Sequence, residues 1–138
     1  MIELTPEALR AVVPLARRLA RGDGMTQAEV DALESEWMHR LTPSEDAASE
    51  KLALVLPDGR ETGVQGPRWL VHLLGLRHRA VEIALSTPSG LIAFQRRSRT
   101  KREWPGALDM AVAGHVSETD GGDSGWLESA WREMAEEI

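Results

Sequence analysis

The sequence predicts an α/β protein in which helices pack in layers on a mixed sheet, preceded by a helical N-terminal region. Three observations support this prediction. The first 41 residues carry apolar side chains at helical spacing, short apolar segments separated by turns follow residue 50, and the last segment is strongly amphipathic. A chain of 138 residues suits one compact domain, or a small domain with an appendage.

The composition excludes several classes of protein and site. The net charge of -6 argues against stable nucleic-acid binding, which needs a basic face. The sequence contains no cysteine, so it holds no disulfide, zinc thiolate site or cysteine nucleophile. It also contains no apolar run long enough to cross a bilayer and no basic, then apolar, secretory leader. We therefore expect a cytoplasmic protein without a membrane partner.

Residues 1–41 are predicted to form an N-terminal helical hairpin. Pro14 interrupts the first helix, and a glycine-rich segment at 22–24 ends it. Thr26 and Glu29 have the spacing of a capping box, which marks the start of the second helix. The second helix is expected to bury one face, formed by Val30, Leu33, Trp37 and Leu41.

Residues 42–50 are polar and are predicted to be a linker, and residues 51–138 are predicted to form the second domain. Apolar segments bounded by turn residues predict strands in that domain. The predicted strands are 52–56, 80–85, 91–95 and 108–116, with turns at 57–59 and 87–90, a helical turn or loop at 67–75, a basic loop at 98–106 and an acidic loop at 117–125. The strands 80–85 and 91–95 are expected to form a hairpin.

Residues 126–138 are the clearest helix in the sequence. An apolar stripe along it is expected to be buried, and it consists of Leu127, Ala130, Trp131, Met134 and Ile138. Glu133, Glu136 and Glu137 share one narrow sector of the helix, where like charges repel each other. Two readings follow from the helix alone: a solvated acidic surface, or a site in which a divalent cation such as Mg²⁺ neutralises the carboxylates.

Several motifs occur in the order found in one enzyme family. The run Arg132-Glu133-Met134-Ala135-Glu136-Glu137 resembles the core of the Nudix box, and Gly114-His115-Val116 looks like its opening glycine. The segments 77–81, 95–98 and 104–116 are similar to the Nudix branch that includes isopentenyl-diphosphate isomerase. The resemblance covers residues 51–138 and implies an α/β/α sandwich with a mixed sheet.

The resemblance implies a hydrolase that uses Mg²⁺ or Mn²⁺ to cleave a pyrophosphate bond in a small-molecule diphosphate. Glu133, Glu136, Glu137 and the carbonyl of Gly114 would bind the metal, with Glu133 serving as a ligand or as the base that activates water. Arg132 would orient the glutamates. Substrate contacts are expected from the basic segment, at Arg96, Arg97, Lys101 and Trp104. The related isomerases use a catalytic cysteine, and its absence here disfavours isomerase activity.

Three departures from the family pattern favour an alternative, a catalytically impaired binding or interaction protein. Gly114 and Arg132 are eighteen positions apart, whereas the family has fourteen, and Ser124 stands where the family has a glutamate. The sequence also ends at Ile138, before the box closes, so the sheet is expected to be incomplete at its C-terminal side. We therefore expect the chain to be a fragment, a frameshifted relative or an obligate dimer whose partner covers the gap, unless the N-terminal helices fill it.

Overall fold

The computed structural model describes residues 10, 13–14, 18, 25–38, 48–101, 104–116 and 125–137. Within these residues the helices are α1 (Gln27–Met38), α2 (Arg68–Leu74) and α3 (Gly125–Glu137). The strands are β1 (Lys51–Val55), β2 (Glu61–Pro67), β3 (Ala80–Ile83), β4 (Phe94–Arg96), β5 (Leu108–Met110) and β6 (Val112–His115). They form two compact units, residues 2–79 and 80–138, and the fold is of the α/β class.

The start of α1 confirms the predicted capping box. The backbone N–H of Thr26 donates to the Glu29 carboxylate at 2.7 Å, and the backbone N–H of Glu29 donates to the Thr26 hydroxyl at 3.3 Å. Two backbone donors that the first turn leaves free are thereby satisfied. The face of α1 that carries Val30 and Trp37 is buried, as predicted for these two residues.

In residues 48–79, β1 and β2 form an antiparallel hairpin around the predicted turn at 57–59. The apolar segment after it is the helix α2, which ends at Gly75 because that residue adopts a left-handed conformation, with φ 61°. Apolar side chains from α1, both strands and α2 form a single core. Its buried members are Met25, Val30, Trp37, Leu52, Leu54, Val64, Trp69, Leu70, Val71, Leu74 and Leu76.

A side chain of α1 also binds the backbone of β2. The amide group of Gln27 donates to the carbonyl of Gln65 at 3.0 Å and accepts from its backbone N–H at 2.9 Å. Gly66, the next residue, lies so close to α1 and α2 that an added methyl group would meet Val71 at 3.1 Å and Val30 at 3.3 Å. A polar pair and a close backbone approach therefore fix α1 against β2.

In residues 80–138 the pairing of strands differs from the prediction. The turn at 87–90 forms, but the predicted hairpin between 80–85 and 91–95 is reduced to one bridge, Ser86 with Ile92. β3 pairs instead with β6, and β4 pairs with β5, in both cases antiparallel. The predicted strand 108–116 is divided at Ala111 into β5 and β6, so each half pairs with a different partner.

The helix α3 forms where the sequence predicts a helix, but the expected apolar stripe is not its buried face. Leu127 is 63% exposed and Trp131 is 61% exposed, whereas Ser129 is fully buried. α3 packs on β3 and β6. Ala130 and Met134 of the stripe are half-buried. The prediction was wrong for Leu127 and Trp131, because the side of the helix that meets the strands carries a small polar residue and the site residues described below.

Some predictions concern residues outside the described ranges. These are most of the first N-terminal helix, Leu41, most of the linker 42–50, the loop 117–124 with Ser124, the side chain of Glu137, and Ile138. None of the described helices combines the length and the apolar character of a membrane-crossing segment.

Candidate functional site

Four described residues were predicted to bind the metal or to orient its ligands, and we call Gly114, Arg132, Glu133 and Glu136 the metal-side residues. They lie where α3 crosses β6, within residues 80–138. Gly114 is in β6, opposite Val81 of β3, and Glu133 projects from α3 toward it. A methyl group added at Gly114 would overlap the carboxyl group of Glu133. The Glu133 side chain is only 13% exposed. The absence of a side chain at Gly114 thus creates the space in which a nearly buried carboxylate sits.

Arg132 connects this carboxylate to the end of β6. One guanidinium nitrogen donates to Glu133 Oε1 at 2.6 Å, and the other donates to the backbone carbonyl of His115 at 3.0 Å. The same guanidinium lies 3.8 Å from Glu136, one turn further along the helix. These charge-assisted contacts fix the direction of the Glu133 side chain.

The metal-side residues provide oxygen atoms of the type that Mg²⁺ prefers. Glu133 and Glu136 are carboxylates, and Gly114 adds a backbone carbonyl in the adjoining strand. Glu136 is exposed, so it can rotate toward an ion without losing buried contacts. Glu133, wedged against a glycine, fits the requirement for one firmly placed ligand or base. These residues are chemically suited to a hard divalent cation.

The predicted substrate-side residues lie on the β4–β5 hairpin and the loop that joins its strands. Arg96 donates to the carbonyl of Gly106 at 2.8 Å, and Arg97 donates to Asp109 at 2.8 Å. Lys101 and Trp104 are exposed in the loop. Trp104 adopts a φ of 49°, a conformation that non-glycine residues seldom adopt. These four residues thus lie on one hairpin, and both arginines form hydrogen bonds with other residues of that hairpin.

Two partners in this region were not identified from the sequence. Asp109 holds Arg97, and the carbonyl of His115 holds Arg132. Arg97 and Asp109 stand diagonally across the two strands, so opposite charges at these positions were a usable signal once the register was known. Nothing in the sequence marks the carbonyl of His115 as the partner of Arg132, since that contact depends on where α3 crosses β6.

Comparison with curated proteins finds relatives that carry one family name. "Nudix hydrolase 3" of Arabidopsis thaliana is 42% identical over 93 residues, which is 66% of this chain and 11% of that protein. "Uncharacterized Nudix hydrolase YfcD" of Escherichia coli (strain K12) is 36% identical over 91 residues, 66% of this chain and 48% of that protein. "Uncharacterized Nudix hydrolase SCO1686" of Streptomyces coelicolor is 35% identical over 92 residues, 67% of this chain and 48% of that protein.

The matched part of this chain therefore spans about half the length of the bacterial relatives, and a much smaller part of the plant protein. No protein-family model matches the chain. No solved structure gives a significant match.

Proposed function

Because the chain belongs to the Nudix hydrolase family over the residues that it shares with these relatives, we propose that it is a Mg²⁺-dependent hydrolase of a pyrophosphate bond. The substrate is a nucleoside diphosphate derivative or a related small-molecule diphosphate, and Mn²⁺ is the alternative ion. The observation that carries the proposal is the nearly buried carboxylate of Glu133, seated against Gly114 and held by Arg132.

Each residue has a role in this proposal. Glu133, Glu136, Glu137 and the Gly114 carbonyl would hold the cation, which would polarise the phosphoryl oxygens and lower the pKa of the attacking water. Glu133 is a ligand or accepts the proton of that water. Water oxygen forms a new bond to phosphorus, the bridging P–O bond breaks, and two phosphate-containing products leave. Arg132 keeps Glu133 in position through its two contacts.

The hairpin residues supply positive charge and an aromatic surface for the substrate. Arg96 and Lys101 are exposed and would neutralise the diphosphate, while the exposed ring of Trp104 would contact the group attached to it. Arg97 has the same proposed role, and its guanidinium already forms an ion pair with Asp109. Arg96 and Arg97 already form hydrogen bonds within the hairpin. Their side chains would therefore lose little further conformational freedom when the substrate binds.

The test is a comparison of hydrolysis by the 138-residue chain with and without Mg²⁺. The two monophosphate products would be separated by chromatography, or measured as the phosphate that an added phosphatase releases from them, on a panel of nucleoside diphosphate esters with inorganic pyrophosphate alongside. We expect Glu136→Gln to reduce metal-dependent turnover by at least ~100-fold, since even residues that only orient ligands are worth about 10- to 100-fold. Glu128→Gln is the matched control, because Glu128 is an exposed glutamate of the same helix.

A non-catalytic binding protein is the second candidate, and two features of the sequence favour it. Gly114 and Arg132 are eighteen positions apart, and Ser124 replaces the expected glutamate. This candidate predicts that Mg²⁺ and a diphosphate raise the melting temperature without any turnover. Metal-dependent turnover that Glu136→Gln does not reduce would contradict the role assigned to Glu136, and neither turnover nor a shift in melting would contradict both candidates.

A further inference from the structure

The β4–β5 hairpin has its polar side covered and its apolar side exposed. Side chains alternate between the two sides of a strand, so the register places Phe94 and Leu108 on one side of the hairpin. Gln95 and Asp109, which are paired with each other, lie on the other side. Phe94 is 58% exposed and Leu108 is 64% exposed, whereas Gln95 and Asp109 are half-buried. Covering polar groups costs free energy, and departures of this kind from the usual pattern are found mostly at functional sites.

Arg97 continues the polar side beyond the end of β4. Its backbone N–H donates to the carbonyl of Ala107 at 2.9 Å, and its own carbonyl accepts from the N–H of Gly106 at 3.2 Å. These bonds extend the pairing of the two strands by one residue, so the side chain of Arg97 lies on the same side as Gln95 and Asp109. The backbone of Arg97 is thereby fixed, and the direction of its long side chain depends on what that side chain contacts.

Asp109 fixes the guanidinium group of Arg97. Its Oδ2 accepts from Nη1 of Arg97 at 2.8 Å, and its Oδ1 accepts from the backbone N–H of Met110 at 3.0 Å. The side chains of Arg97 and Asp109 are 27% and 26% exposed, whereas those of the ion pair between Arg60 and Asp58 are 76% and 52% exposed. Solvent and salt therefore screen the Arg97 pair less, and separating it would leave a half-buried charge unpaired, which is costly.

An anion can still reach the guanidinium group, because 27% of the Arg97 side chain is exposed. A guanidinium group carries five N–H donors in a planar fork that suits phosphate oxygens, so one group can bind a carboxylate and a phosphate together. A long side chain that is already ordered loses little conformational entropy when a ligand binds. A phosphate that reaches Arg97 therefore meets donors whose direction Asp109 has set.

We propose that Asp109 is a positioning residue for substrate binding, which holds the Arg97 guanidinium group in the direction that meets the diphosphate. The inference rests on the proposed function. Asp109 acts through Arg97, so its loss weakens substrate binding and leaves the chemical step unchanged. If Asp109 only added negative charge near an anionic substrate, removing that charge would strengthen binding. A positioning role predicts the opposite sign, because binding weakens although the site becomes more positive.

Steady-state kinetics with Mg²⁺, on the nucleoside diphosphate ester that wild type hydrolyses fastest, tests this sign. We expect Asp109→Asn to raise KM by about 10-fold and to leave kcat within about twofold of wild type, since partners that orient a ligand are worth about 10- to 100-fold. The amide keeps the shape of the carboxylate but has one oxygen in place of two, so one of the two hydrogen bonds is lost. Asp109→Glu, which keeps the charge, should recover part of the affinity. Urea denaturation checks that both variants fold.

Two further variants separate positioning from a structural role. Arg97→Asp combined with Asp109→Arg keeps an ion pair across the hairpin but moves the cation to the other strand, so stability should be retained while KM stays raised. Asp58→Asn is the matched control, since it breaks the exposed ion pair with Arg60 in residues 2–79 and should leave KM unchanged. An Asp109→Asn variant with an unchanged or lowered KM, a control that raises KM equally, or an exchanged pair with the wild-type KM would overturn the inference.

Failure of the proposed function gives a different result. If wild type hydrolyses no member of the panel, the hydrolase is contradicted, and calorimetry with Mg²⁺ and inorganic pyrophosphate then tests the binding of a diphosphate by itself. Wild type should bind pyrophosphate, and Asp109→Asn should bind it about 10-fold more weakly. Equal binding by the two proteins, or no binding by wild type, would overturn the positioning role of Asp109.

Discussion

Gly114 decides at the scale of one residue whether the site can form. Its missing side chain provides the space occupied by the carboxyl group of Glu133, which Arg132 then binds at 2.6 Å. The glycine is needed for space and not for backbone freedom, since its position in β6 is extended strand. The carboxyl group of Glu133 is therefore held on two sides, by strand β6 and by the guanidinium group of Arg132 on its own helix.

Gly114→Ala should destabilise the chain by about 1–3 kcal/mol, as overpacking generally does, and should abolish metal-dependent turnover. Urea denaturation and the hydrolysis assay measure the two effects. The control is a double-mutant cycle with Glu133→Ala, which removes the carboxyl group that the new methyl group would strike. If Gly114→Ala lowers the free energy of unfolding equally in the wild type and in the Glu133→Ala variant, the steric explanation is wrong.

Glu29 makes the stability of α1 dependent on pH. Its hydrogen bond from Arg18, and then those from Thr26, lower its pKa from 4.5 to about 2. A carboxyl group with a lowered pKa stabilises the fold fully above pH 4.5, and this contribution is lost as the pH falls toward about 2. The melting temperature of wild type should thus exceed that of Glu29→Gln above pH 4.5, and the difference should disappear near pH 2.

The side chain of Glu29 is 40% exposed, so solvent screening keeps this effect small. Glu82→Gln, which removes an exposed carboxylate from β3, serves as the reference variant. A melting difference between wild type and Glu29→Gln that stays constant across this pH window would show that the capping box does not depend on the charge of Glu29.

At the scale of elements, local rules were sufficient for α1 but not for the face of α3. Thr26 and Glu29 are three residues apart, so their spacing alone predicted the hydrogen bonds that begin α1. The face that α3 buries depends on β3 and β6, which are distant in sequence, and no periodic pattern contains that information. For the same reason the partner of β3 was missed, since hairpin formation with the next strand is the simpler local expectation.

The orientation of α3 can be tested by exchanging polarity on its two sides. Ser129→Leu places a large side chain in a fully buried position and should cost about 1–3 kcal/mol in urea denaturation. Leu127→Ser changes an exposed position and should alter stability by no more than about 0.5 kcal/mol. The opposite ranking would mean that the apolar stripe faces inward, as the sequence pattern had indicated.

At the scale of the whole molecule, the two compact units bury different amounts of apolar surface. Residues 2–79 contain a continuous apolar core, whereas the described apolar residues buried in 80–138 are Val81, Val112 and Val116. The sequence predicted most helices and strands, and it singled out Gly114, Arg132, Glu133 and Glu136, which lie together in the structure and whose role at a metal stays a prediction. It could not predict the contacts of Arg97 and Arg132, because these depend on strand register and on the crossing of a helix over a strand.

Amide hydrogen exchange should reveal this difference. Amides of β1, β2 and α2 should exchange more slowly than those of β4 and β5, since protection follows burial and local stability. Adding Mg²⁺ should slow exchange in β6 and α3, and it should do so less in Glu136→Gln, because a ligand protects the state that it binds. Uniform protection across both units would instead indicate a single cooperative structure.

The hydrogen bonds between Gln27 and the backbone of Gln65 have a consequence for solubility. They occupy the donor and the acceptor of Gln65 on the side of β2 that β1 does not cover, so a foreign strand cannot pair with these two backbone groups. An alanine at position 27 would leave both groups open to a neighbouring molecule. We therefore expect Gln27→Ala to make edge-to-edge association of β2 easier, which would appear as light scattering on storage before any loss of folded structure.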